Sequence, residues 1–359
     1  MKPFLRTRKW RYRIFRLKYS RHDISAKFRQ TLDICMGIRT GLLLSLTILT
    51  FAPAARGWNH VGHRAVAEVA WRQLNSGQRR AASALLKHHP HYQEMLARDL
   101  PKGVSQDEWV FLSAAVWPDW VRPAKSGQPP RPESITKYNL YPHALGHPFL
   151  RRGDTNQALI EKFFVARPDA EMVLSNCLAT LRDPAATDHD RAVSLGWAMH
   201  LMGDLHQPLH AASLVTKEKP GGDGLGGDYI VLDPHAKAEE RRTNLHTFWD
   251  QLPGVAPGYR PVAALADTLA RLKASRMTEY LEHKYVTVWV QESFRAAVDF
   301  AYAENHVRYA HLDDLRAGKV LAAEIPTLSP EYIREARRIA ERRLALAGQR
   351  LADELKRVW

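Results

Sequence analysis

The chain has 359 residues, with 52 Lys+Arg against 38 Asp+Glu and a formal net charge of +14. Thirteen basic residues and two acids fall between Met1 and Gly57, so +11 of the excess belongs to that stretch and only +3 to the remainder. Beyond Gly57 this excludes a global basic footprint, and an anionic substrate must be held there by local charges or by metal.

The first 57 residues read as a leader with a secretory signal. Gly41–Pro53, GLLLSLTILTFAP, is an apolar run of signal-peptide length, too short to prefer spanning a bilayer, with Arg39 before it and small residues after it. Ala55 and Gly57 supply the small residues at the minus-three and minus-one positions of a cleavage before Trp58. Met36-Gly37-Ile38-Arg39 makes a compact basic start by itself, so translation is expected to begin at Met36. Cleavage leaves a mature chain of 302 residues, exported to the periplasm or the medium and without a membrane span. Cys35 leaves with the leader and Cys177 stands alone, so no intramolecular disulfide can form and stability must come from the core or from bound metal.

Trp58-Asn59-His60-Val61-Gly62-His63 opens the mature chain and runs into Ala65, Val66, Val69, Ala70 and Leu74, an apolar spacing that predicts a helix. A freshly exposed α-amine has a pKa near ~8 and can chelate a cation together with its own carbonyl; Trp58 and His63 can therefore share one ion. Ser113–Arg122, SAAVWPDWVR, is expected to end a helical stretch on Pro118 and to present Asp119 between two tryptophans, with Arg122 as a phosphate clamp. Lys125–Pro132 is a Pro/Gly/Ser-rich loop. Tyr138–Phe149, YNLYPHALGHPF, offers His143 and His147 in extended or irregular chain, and either is a ligand on spacing alone.

Asp169–Leu181 and Asp190–Leu205 carry helical patterns. The second runs into Gly196–Ala211, GWAMHLMGDLHQPLHA, where His200 and Asp204 stand at i and i+4 on one helix face and can bind one cation. Pro208 interrupts the ladder and places His210 just past the helix end. A single histidine among leucines and methionines is more often a core residue than a ligand, but this many polar groups among Leu201, Met202, Leu205 and Leu209 are costly unless something binds them. Lys219–Asp228, KPGGDGLGGD, does not lead from a strand into a helix, which argues against a phosphate-cradling nucleotide fold and favours a hairpin or tight turn before the strand Tyr229–Leu232. Thr243–Asp250, TNLHTFWD, repeats the i, i+4 device with His246 and Asp250. Val262–Leu272, Val286–Ala303 and Pro330–Trp359 read as helices wrapped around the site, and no repeat or second domain boundary interrupts them.

Trp58, His63, Asp119, His143, His200, Asp204, His210, His246 and Asp250 form a nitrogen/oxygen donor set without thiolate, which suits catalytic zinc. With water completing open positions they suit about three ions, one carboxylate bridging two of them. Ions so paired can activate water and hold both the attacking and the leaving oxygen of a phosphoryl centre, so phosphoester hydrolysis is the best-matched reaction.

The string HLMGDLHQPLH, together with NLHTFWD, Trp117-Pro118-Asp119, the Trp58…His63 opening and the closing LALAGQRLADEL, resembles the zinc-dependent single-strand nucleases and 3'-nucleotidases of fungi, plants and bacteria, whose fold is shared with bacterial zinc phospholipase C. The resemblance covers nearly all of residues 58–359 and implies a mainly α, single-domain fold with a small β-hairpin. It implies one zinc on Asp119, His143, His200 and Asp204; a second on the Trp58 amine and carbonyl, His63 and a shared Asp204; and a third on His210, His246 and Asp250. Asp119 would orient the attacking water and Arg122 would stabilise the pentacovalent phosphate. Single-stranded nucleic acid or a nucleotide is the implied substrate, with no stable protein partner. Phospholipase C-type hydrolysis of lipid head groups and a non-catalytic zinc-binding role are the competing readings. His143 is preferred to His147 because PFLRRGD then falls in register with the family. Two departures stand out: Ala144 and Gly146 replace an aromatic and a polar residue that help to hold a base, and Asp228 stands where the family commonly has Asn. His206 matches no ligand position and is expected to pack or to support a ligand.

Overall fold

A computed structural model of the chain describes residues 57–124, 127–139, 142–163, 169–303 and 305–359. The leader before Gly57, with Met36 and the apolar run, lies outside the described residues. The first half of the chain forms α1 (His60–Gln73), α2 (Ser76–Leu86), α3 (Gln106–Ala114), α4 (Trp117–Trp120), α5 (Glu133–Thr136), strand β1 (His147–Phe149), α6 (Gln157–Phe163), α7 (Ala170–Arg182), α8 (Asp188–Asp204) and α9 (Pro208–Ala211). Strands β2 (Ala212–Leu214), β3 (Tyr229–Leu232) and β4 (Arg242–Asn244) follow, then α10 (Leu245–Gln251), α11 (Tyr259–Arg271), α12 (Thr278–Glu282), α13 (Val286–Ala296), β5 (Ala310–His311), α14 (Leu312–Arg316) and α15 (Pro330–Lys356).

The fold is mainly α, and α8 is its axis. Thr187 caps the helix by accepting from the Asp190 N–H, and every residue from Leu195 to Asp204 is buried. A helix buried on all sides is a core helix, so any polar group it carries must find partners inside the protein. Helix α7 packs along it, and α1 is clasped by α11 and α15. Small residues allow the closest approaches. A Cβ on Gly196 would come 3.2 Å from Trp117 Cε3, and one on Gly348 would come 2.6 Å from Val69 Cγ1, so α4 and α15 rest directly on the backbones or branched side chains opposite.

Two apolar clusters result. The larger gathers α1, α3, α7, α8 and the second half of α15; the smaller gathers Leu209, Tyr229, Leu245, Trp249 and Tyr302 with Tyr332, Ile333 and Ala336 from the first half of α15. Helix α15 thus ties both clusters together.

The β structure is more than the expected hairpin. Strands β3 and β4 pair antiparallel and β5 adds a third strand on the other side of β3, while β1 and β2 form a separate parallel pair with His147 opposite Ala212. Strands of two or three residues are too short to show an alternation in sequence. Both prolines also act differently from the expectation. Pro118 lies in the first turn of α4 and Pro208 opens α9, so each begins a short helix, where its missing N–H costs nothing, and His210 stands in a helix turn of its own. Among the described residues no helix is long and apolar enough to cross a membrane.

Candidate metal centre

Five elements bring the donors together. Asn59 caps α1 by accepting from Val61 N–H and Gly62 N–H, and its own N–H donates to the Asp250 carbonyl at 3.0 Å, which stitches the start of α1 to α10. His63, on the first turn of α1, is fully buried and stacks on His200 with ring centroids 3.9 Å apart. That approach needs Gly203, since a Cβ there would lie 2.8 Å from His63 Nδ1. Trp58 is fully buried beside them. Gly57 reaches into the cluster itself: a Cβ on it would fall 1.4 Å from Asp204 Oδ1 and 3.0 Å from His63 Nε2.

Three groups have ligand-type atoms within 4.8 Å of one another: His63, Asp119 and His200; His143, His200 and Asp204; and His210, His246 and Asp250. Asp204 joins them. Its Oδ1 is 3.3 Å from His63 Nε2 and 3.8 Å from His210 Nδ1, and its Oδ2 is 3.0 Å from His200 Nε2 and 3.2 Å from His143 Nδ1.

The imidazoles are aimed by backbone carbonyls. His200 Nδ1 meets the Ala115 carbonyl at 2.8 Å, His210 Nδ1 meets that of His143 at 2.8 Å, and His246 Nδ1 meets that of Leu225 at 2.7 Å. A carbonyl only accepts, so each of these Nδ1 atoms carries a proton and Nε2 is the nitrogen left to face the centre, the arrangement that metal-binding histidines use. His143 instead turns Nδ1 inward, 2.8 Å from His200 Nε2.

This donor set fits a cation. Asp204 Oδ1 and both ring nitrogens of His63 are buried and make no hydrogen bond, and polar atoms converging in a buried interior are stabilised by positive charge between them. The electrostatics agree. Burial alone would raise the Asp204 pKa, but His200 and His210 hold it well below the usual carboxylate range. Asp119 is likewise low, with His200 and Arg122 outweighing burial. Burial lowers His63, and it lowers His143 to about 4, so both imidazoles are neutral near pH 7. Asp250 goes the other way, raised by burial against the pull of His246.

The other residues that the sequence singles out fall into place around this centre. Arg122 Nη2 pairs with Asp119 Oδ1 at 2.8 Å, and these two side chains, 16% and 14% exposed, form the solvent-facing edge of a cluster in which His63, His200 and Asp204 are fully buried. His147 lies on β1 with its ring edge toward Phe294 and joins none of the three groups. Asp228 is ion-paired with Lys219 at 3.0 Å. His206 donates from Nδ1 to the Met202 carbonyl and accepts at Nε2 from Arg350, so it braces the end of α8 against α15.

Several working residues carry no mark in the sequence. The carbonyls of Ala115 and Leu225 belong to residues whose side chains say nothing about them. Arg350 and Arg343 share Glu292 beneath His206, across more than fifty residues of chain. Gln207 had the one available signal, a polar residue inside the histidine string. Its Nε2 donates to Asp250 Oδ1 at 2.8 Å while its Oε1 accepts from Leu209 N–H, which fixes the carboxylate of the third group.

Comparison with known proteins gives this arrangement a class, a helical phosphodiester hydrolase built around groups of histidine and aspartate that can hold metal. The chain belongs to the S1/P1 nuclease family, whose model matches residues 58–359. It is 25% identical over 323 residues to Endonuclease 2 of Arabidopsis thaliana, covering 89% of this chain and 96% of that protein. It is also 25% identical over 323 residues to Nuclease S1 of Aspergillus oryzae, covering 87% and 95%.

Proposed function

We propose that residues 58–359 are an exported, zinc-dependent phosphodiesterase that cuts single-stranded DNA and RNA and also removes 3'-phosphates from nucleotides. The observation that carries this reading is the convergence of three His/Asp groups on one buried carboxylate, Asp204. Asp119, His143, His200 and Asp204 would hold one ion; the Trp58 amine and carbonyl, His63 and Asp204 a second; His210, His246 and Asp250 a third. Zinc held there would lower the pKa of water and neutralise phosphoryl oxygens.

The chain's own residues do the rest. Asp119, at the solvent-facing edge, accepts a hydrogen bond from water and aligns it toward phosphorus. The Arg122 guanidinium has five donors, so it keeps its contact with Asp119 and offers others to a phosphate oxygen as negative charge grows there. Cleavage before Trp58 supports the second set: the residue now bonded to the Trp58 nitrogen already touches Asp204 and His63, so the freed amine would stand among them.

The test combines metal analysis with parallel assays on single-stranded DNA, RNA, 3'-nucleotides and phosphatidylcholine, using protein that begins at Trp58. Three zinc per chain and hydrolysis of the nucleic acids are expected. Fewer than two zinc, or activity on the lipid alone, overturns the reading. Asp119→Asn should lower kcat by about 10²–10³-fold while the protein stays folded; wild-type kcat in that variant removes Asp119 from its role.

A further inference from the structure

The glycine-rich loop Lys219–Asp228 is adjacent to the third group of donors, and its one fully buried side chain is a carboxylate. Asp223 Oδ1 accepts from the Ser213 hydroxyl at 3.0 Å and from Leu214 N–H at 3.1 Å, both on β2, which directly follows the helix bearing His210. Its Oδ2 accepts from Gly226 N–H at 3.1 Å, at the far side of the loop. The Asp223 side chain therefore fastens the loop tip to the strand that emerges from His210.

Between those anchors the backbone is left-handed for three residues running, Gly224, Leu225 and Gly226, with φ of 64°, 62° and 86°. Leucine adopts that conformation only when its surroundings impose it. The Leu225 carbonyl is the acceptor for His246 Nδ1–H. Gly226 lies against both neighbouring helices, since a Cβ there would come 3.2 Å from Leu209 Cδ1 and 3.4 Å from the His246 backbone nitrogen. His210 and His246 stack with centroids 5.1 Å apart. The chain of contacts runs from β2 beside His210, through Asp223 and the loop, to the ring of His246.

We infer that Asp223 is a positioning residue for His246: it folds the loop so that the Leu225 carbonyl fixes the His246 ring with Nε2 turned toward His210 and Asp250. The inference rests on the three-ion reading above. Losing an outer partner of a ligating histidine weakens metal binding by about 10–100-fold. Asp223→Asn keeps the shape but sets an amide N–H₂ against the donors that now converge on the carboxylate.

The experiment strips the mature protein with chelator and titrates zinc by calorimetry, following the ring nitrogens of His246 by NMR in histidine-labelled protein. In Asp223→Asn one ion should bind about 10–100-fold more weakly, the other two should bind as in the wild type, and the His246 resonances should move while those of His63 and His200 stay. Gly226→Ala, which pushes the same loop from its other side, should give the same selective signature. Unchanged affinity for all ions in both variants overturns the inference, as does a uniform loss of every ion in Asp223→Asn accompanied by wild-type binding in Gly226→Ala. A wild-type protein that binds zinc without any change at His246 overturns the three-ion reading instead.

Discussion

The two halves of the centre are held by different means. His63, His200 and Asp204 stand on α1 and α8, helices of 14 and 17 residues whose faces are locked into the larger apolar cluster. His210, His246 and Asp250 stand on α9 and α10, of four and seven residues, too short to hold themselves. Their orientation comes from Gln207, the Leu225 carbonyl and the Asn59 N–H, contacts that cross between loops and caps. The first half inherits its rigidity from packing, and the second depends on a few hydrogen bonds whose loss is local. Asp204 couples them because its two oxygens face both sides.

The largest expected effect comes from breaking that coupling. Asp204→Asn should lower kcat/KM by about 10³-fold or more, about 4 kcal/mol of transition-state stabilisation, and should remove two ions from the stoichiometry; zinc counted by atomic absorption alongside kinetics checks it. A smaller and one-sided effect is expected for Gln207→Leu. It frees the Asp250 carboxylate, so the third ion alone should weaken by about 10–100-fold, and a zinc titration in which all ions weaken together would show that the halves are not separately held.

The packed half has a pH limit of its own. Glu292 lies between Arg350 and Arg343 under His206, and although burial would raise its pKa, the hydrogen bond from Arg350 and the two positive charges bring it down to about 2. A carboxylate lowered on folding contributes stability that is full above its unfolded pKa, near ~4.5, and drains away as pH falls toward 2. Wild-type thermal stability should therefore drop between those values, and Glu292→Gln should be less stable at neutral pH with a flatter slope in that window. Calorimetric melting from pH 2 to 7 reads both. The smallest effect is expected at His147, which is outside every donor group: His147→Ala should keep all bound zinc and change kcat/KM by no more than about 2-fold, within the range of a surface substitution.

Much of the centre is legible one element at a time. His200 and Asp204 at i and i+4 on an apolar helix, and His246 and Asp250 in the same relation, are fixed by helix geometry alone, and the structure presents them on α8 and α10. The Asp228 departure is visible too, but its pairing with Lys219 is not. The prolines act otherwise than expected because a proline that ends one helix and a proline that begins the next leave the same mark in a sequence. The parallel strand pair escapes notice because β1 and β2 are three residues long.

By itself the sequence determined which donors exist, that no thiolate is among them, and that the chain would be mainly helical, because periodicity and residue chemistry are local properties. Only the tertiary structure decided which donors meet. The choice between His143 and His147 as the neighbour of His200 depends on how residues 142–149 cross α8 and β2, and the aim of the His200, His210 and His246 rings depends on carbonyls contributed from up to 85 residues away. Backbone carbonyls are the same at every position, so their part in setting proton and lone pair becomes readable only once the chain has brought them to the rings.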